Sequence, residues 1–147
     1  MNETNPSPAV TPEALHELFE KTRSVRRFQP GDPIPRGTLV KLVDCARLSP
    51  SGANKQPLKF YLSSDTETNA KIFPCLSWAG YLKDWDGPAE GERPTGYVVI
   101  LGDTEISESF GVDHGIAAWS IMLAARTRGL SGCIIGSVDR ERLAGSL

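Results

Sequence analysis

Between Gly115 and about Arg128 almost every turn of a helix would be apolar, with Ile116, Ala117, Ala118, Ile121, Met122, Leu123, Ala124 and Ala125 in one run and Gly129 closing it. A helix that is hydrophobic all round has to be covered on all sides. This one falls short of the ~18 apolar residues that a membrane span needs. It is therefore predicted to be central, packed on a sheet or on a second subunit, with Asp113 as its N-cap and Gly129 at C′. His114, at its start, is open to two readings, a helix-terminal polar residue or a ligand contact. The cover must come from the rest of a 147-residue chain, which is the size of one domain with one fair-sized core. The net charge of −2 argues against a general nucleic-acid binder. Met1 to Val10 is polar and contains proline, unlike a signal peptide, so this stretch is expected to be loosely attached and the chain cytoplasmic. Cys45, Cys75 and Cys133 are widely spaced and only two histidines are present, which is poor material for a disulfide framework or a zinc site. Cys45 and Cys133 lie in apolar patterns and are expected to be buried structural thiols.

Taken in order, Thr11-Pro12 pairs an N-cap residue with proline at the first helical position, and Leu15, Leu18 and Phe19 give that helix one apolar face. Gln29-Pro30-Gly31-Asp32-Pro33 breaks regular structure. Leu39, Leu42, Val43 and Ala46 repeat at i, i+3, i+4, i+7 and predict a second helix over 37–48. Lys59 to Ser63 reads as a strand. Asp65 or Thr66 is placed to cap a third helix running towards Ser77, with Pro74 against its second half. Tyr97-Val98-Val99-Ile100-Leu101 predicts a strand buried on both faces. Gly132 to Val138 predicts another strand, followed by a short helix capped by Asp139.

Three stretches have the chemistry of binding. Ser49-Pro50-Ser51-Gly52-Ala53-Asn54-Lys55-Gln56-Pro57 joins a helix to a strand and is rich in small hydrogen-bonding side chains. Its composition suits a ligand loop and equally an ordinary turn. Arg23, Arg26 and Arg27 surround Ser24 within five residues, concentrating fork-shaped donors that suit a phosphate, or else forming a solvated basic helix end. Residues 78–94 form a long loop holding Trp78, Tyr81 and Trp85, which could wall a planar ligand or serve as packing anchors.

Together these pieces resemble the nitroreductase family of flavin mononucleotide (FMN) proteins, from about Leu15 to Leu143. The resemblance rests on Ser24-Val25-Arg26-Arg27-Phe28 after a first helix, the Ser49–Pro57 loop, the 115–128 helix and Gly129-Leu130-Ser131-Gly132-Cys133-Ile134-Ile135-Gly136. It implies an α+β fold, a mostly antiparallel central sheet flanked by helices, in a homodimer with flavin at the interface. It implies that Arg23, Ser24 and Arg26 hold the phosphate and ribityl end. Pro50, Ser51, Gly52 and Asn54 would approach from the other subunit with Gln56 supporting their loop, and Ile135, Gly136 and Ser137 would line the isoalloxazine. The implied activity is hydride transfer from NAD(P)H through flavin N5 to a nitroaromatic, quinone or similar small acceptor, with no side chain as catalyst. The alternatives are a flavin-binding or dimerisation module without turnover, or a sister chemistry such as reductive dehalogenation or flavin fragmentation. Thr22 stands where members often have arginine, and members usually continue beyond the position of Leu147 with a further strand and a basic residue near the phosphate. No metal, nucleic acid or membrane enters this expectation.

Overall fold

A computed structural model describes residues 9–29, 31 and 33–147. Most of the 1–10 segment, and Pro30 and Asp32 of the predicted break, lie outside the described residues. Helix α1 (Pro12–Lys21) opens as the sequence implies: Thr11 Oγ1 accepts from the Ala14 N–H at 3.2 Å, and Pro12 occupies the first turn. It stops at Thr22, which is buried and turns its hydroxyl back to donate to the Leu18 carbonyl at 2.6 Å.

Helix α2 (Arg36–Arg47) buries Leu39, Leu42 and Ala46 along one face. Strand β1 (Leu58–Ser63) pairs antiparallel with β2 (Tyr97–Gly102), with Tyr61 opposite Val99. Between them lies α3 (Thr66–Ile72), capped by the Asp65 carboxylate accepting from the Thr68 N–H at 2.8 Å. Proline 74 ends the α-helix early by removing a donor, and the chain continues as one 3₁₀ turn over Phe73–Cys75. Helix α4 (Asp113–Arg126) and a short α5 (Arg140–Ser146), capped by Asp139, complete the order.

Alternation along β2 explains how two cores form. Val98 turns to the cluster of Leu39, Leu42, Ala124 and Ala125, whereas Tyr97 and Val99 turn to Ile72, Cys75 and Leu143. The two-stranded sheet thus separates α2 and α4 from α3 and α5. On the first side α4 offers alanines at the contact, which lets α2 approach closely. Gly129, at φ +71°, closes α4 with the Leu130 N–H donating to the Ala125 carbonyl at 3.0 Å.

Several expectations change. The predicted strand 132–138 makes only two isolated bridges, Ser24 with Gly132 and Leu76 with Val138, because no continuous neighbour runs beside it. Strand β2 is half-buried and exposed at its end rather than buried on both faces. Asp113 is the first residue of α4 rather than its cap, and Val112 precedes it without a side-chain cap bond. Cys75 is buried, but Cys45 and Cys133 are only half-buried.

Candidate functional site

The 49–57 loop is pinned by a residue far away in sequence. Ser51 Oγ donates to Asp113 Oδ2 at 2.6 Å and the Gly52 N–H donates to Asp113 Oδ1 at 3.0 Å. These bonds to the charged form, Ser51 first, hold the Asp113 carboxyl below the usual carboxylate range, with His114 adding a smaller pull. Ser49 adds a second link, its hydroxyl 2.7 Å from that of Ser120 on α4. Inside the loop, the Gln56 N–H donates to Ser51 Oγ at 2.9 Å and Gln56 Nε2 donates to Asn54 Oδ1 at 2.9 Å. Gln56 therefore braces the loop from within.

The backbone so held is strained. Ala53, Asn54 and Gln56 have φ of 48°, 54° and 51°, conformations that cost a non-glycine residue roughly 1–3 kcal/mol each. Such strain persists only where surrounding bonds over-determine the structure, as the Asp113 anchor does here. Lys55 between them is in the right-handed region, and the amides here are used within the loop: the Asn54 N–H donates to the Ser51 carbonyl at 2.9 Å and the Lys55 N–H to the Gly52 carbonyl at 3.1 Å. Residues 52–56 are exposed, Ser51 is half-buried and Pro50 opens the loop on the surface.

The arginine-rich segment leaves α1 in extended form. Its Val25 N–H donates to the Gly132 carbonyl at 2.8 Å, and Ser24 bridges Gly132 in parallel. Neighbouring side chains on such a segment point to opposite sides. Arg23 shares a polar crevice of only about 10 Å³ with Lys21, Arg126 and Ser131, whereas Arg26 and Arg27, although adjacent, both line a separate open cleft of about 680 Å³ with Tyr81, Lys83 and Trp85. Ser24 is exposed between these two sides. Arg26 also faces the thiol of Cys133, which burial pushes up despite the nearby positive charge.

Beyond Gly132 the chain passes Ile135, half-buried, and then Gly136 and Ser137, both exposed. The Ser137 carbonyl accepts from the Ser77 N–H at 2.9 Å, fixing the end of the segment. A Cβ built on Gly136 would meet nothing within 4 Å, so this backbone is open to a ligand face.

Of the three predicted groups, the arginine group is split, with Arg23 and Arg26 in separate pockets, and its segment is hydrogen-bonded at Gly132 to the stretch that leads on to 135–137. The third, Pro50 to Gln56, attaches at the other end of α4, whose length is about 21 Å at 1.5 Å per residue. Sequence reasoning missed Asp113 as an anchor and Arg126 as a companion of Arg23. Arg126 left a signal, four residues after Met122 on one helix face, but that signal does not reveal which segment packs there. Among the described residues no group of three or more His, Cys, Asp or Glu is placed to hold a metal, and no helix is long and apolar enough to cross a membrane.

Residues 19–85 match the Nitroreductase family. Over 161 residues the chain is 24% identical to YdgI of Bacillus subtilis, provisionally named an NAD(P)H nitroreductase, covering 87% of this chain and 77% of that protein. It is 28% identical to a 5,6-dimethylbenzimidazole synthase of Rhodospirillum rubrum over 92% of this chain and 74% of that one. The fold superposes on a provisionally named nitroreductase from Exiguobacterium sibiricum, solved in complex with FMN, with a TM-score of 0.70 at 18% identity, covering 89% of this chain and 78% of that one. The chain spans only 64% of another such solved protein, from Parabacteroides distasonis. The chain is thus similar to the nitroreductase family in sequence over residues 19–85, and it has a nitroreductase-like α+β fold over most of its length.

Proposed function

We propose that the chain binds FMN between two copies of itself and is an oxidoreductase that takes electrons from NADH or NADPH and passes them to a nitroaromatic, quinone or similar small acceptor. The observation that carries this reading is the bond from the Val25 N–H to the Gly132 carbonyl, which sets a cation-lined pocket and an open glycine backbone on adjoining segments. The fit is chemical. Arg23 and Arg126 offer charged donors suited to a phosphate, beside Lys21, which is paired with Glu17, and Ser24 lies beside Arg23 in the chain for a ribityl hydroxyl. Ile135, Gly136 and Ser137 offer a half-apolar, uncrowded wall for a flat ring, whereas Arg26 lies in the separate cleft against Tyr81. The strained Pro50–Gln56 loop is the contribution of the second copy: Asp113 holds Ser51 and Gly52, Gln56 braces Asn54, and the Asn54 side-chain amide is left to donate.

A second copy is also what the exposed and half-exposed apolar side chains of α1 and α4 call for. Leu15 and Phe19 on α1 are each 46% exposed, and Trp119 packs against Phe19 with ring centroids 5.6 Å apart while itself half-exposed. FMN bound at this site would supply the two-electron chemistry, and the protein orientation, anion binding and exclusion of water.

The test is the visible spectrum of the purified chain, before and after adding FMN and desalting, with retained bands at about 370 and 450 nm as the supporting result. Arg23→Ala should weaken FMN binding by about 1–3 kcal/mol through loss of a charge-assisted bond. An unchanged affinity would remove Arg23 from the phosphate site. NAD(P)H oxidation with menadione then separates an enzyme from a binding module without turnover. The similarity to the Rhodospirillum rubrum synthase favours a second reading, formation of a benzimidazole, which mass spectrometry of the aerobic FMN reaction would detect.

A further inference from the structure

The cavity beside Arg26 and Arg27 has a construction of its own. Residues 79–85 are wound into two consecutive turns, with the Leu82 N–H donating to the Ala79 carbonyl at 2.7 Å and the Trp85 N–H to the Leu82 carbonyl at 3.2 Å. This winding turns Tyr81 and Trp85 towards the two arginines. The Arg26 guanidinium carbon lies 5.8 Å from the Tyr81 ring centroid, and that of Arg27 lies 5.7 Å from the Trp85 centroid. Trp85 is propped edge-on by Trp78 at 6.5 Å, and Trp78 is buried against Phe73 at 5.6 Å. The aromatic wall is thus anchored in the protein rather than loose in its loop.

The charge around this wall is unbalanced. Arg26, Arg27 and Lys83 face the cavity with Asp84 as the acid among its lining residues, and the ion pair from Arg27 to Glu92 is long, at 3.9 Å, and exposed. Arg26 has no ion-pair partner among the described residues. A volume of about 680 Å³ falls in the range of small-molecule sites, roughly 300–1,000 Å³. Planar guanidinium groups beside ring faces suit a ligand that is itself flat and carries a carboxylate, since fork-shaped donors take the anion while the ring stacks on Trp85 or Tyr81.

We infer that residues 81–85 with Arg26 and Arg27 form a binding site for a small aryl carboxylate. Its place as the electron acceptor rests on the flavin reading above, but its binding does not. The inference involves no covalent or redox step.

The probe is therefore one that cannot be reduced: 4-methylbenzoate, compared by calorimetry with neutral 4-methylbenzamide, on the full chain with and without added FMN. The acid should bind about tenfold or more tightly than the amide, and Arg27→Gln should abolish that preference while leaving amide affinity unchanged. Trp85→Phe should retain binding, whereas Trp85→Ala should weaken both ligands. Equal affinity for acid and amide, or a preference that survives Arg27→Gln, overturns the site. Binding of the acid by a chain that holds no flavin supports the site and removes only the acceptor role.

Discussion

Asp113 is the residue through which the candidate site becomes pH-sensitive. Its carboxyl is held below the ordinary range by Ser51 and the Gly52 amide, so the folded protein prefers the charged form more strongly than the unfolded chain does. The resulting stabilisation is fully present above about pH 4 and is lost as the pH falls through the lowered pKa. Hydrogen exchange at Gly52 to Gln56 should accelerate below that pH, and in Asp113→Asn it should already be fast at pH 7, with α4 unchanged. Slow exchange in the variant would mean that the loop holds its strained backbone without the anchor. This anchor could not be read from the sequence for a definite reason. An aspartate just before an apolar helix carries the local signature of a cap, and its actual partners are 62 and 61 positions away. The Ser49–Pro57 loop itself was legible, because its side chains and prolines are local facts. Its left-handed residues were not, since alanine and glutamine at such φ values reflect tertiary constraint rather than propensity.

At the scale of elements, legibility followed how local each cause is. Thr11, Asp65 and Asp139 cap their helices as predicted because a cap needs only the next three residues. β1 and β2 were legible as strands, though their pairing was not, whereas 132–138 reads as a strand and fails to become one for lack of a neighbour. Apolar composition supplies the wish to be extended, but a ladder also needs a partner of matching length. The contact of α2 with α4 carries most of the first core, where Leu42 is 4% exposed against Ala124 and Ala125. Leu42→Ala should cost about 2–5 kcal/mol in urea unfolding, since small neighbours already at close approach cannot collapse into the gap. A loss below 1 kcal/mol would indicate that α2 shifts to fill it.

For the whole molecule, the apolar character of α4 is only partly satisfied within one chain. Its alanines are buried, while Ile116, Trp119 and Leu123 are only half covered. Sedimentation at micromolar concentration should give a dimer, and Phe19→Glu should convert it to a monomer with unchanged far-ultraviolet circular dichroism. A wild-type monomer would place the second half of the site elsewhere. The single bond between Val25 and Gly132 has a separate implication, for assembly in time. Paired residues of β1 and β2 lie 34 to 44 positions apart, so their contacts can form earlier than that of the arginine segment, which waits for a partner 107 positions on. On a ribosome, the arginine segment would therefore emerge among the first parts of the protein and be among the last to acquire its shape.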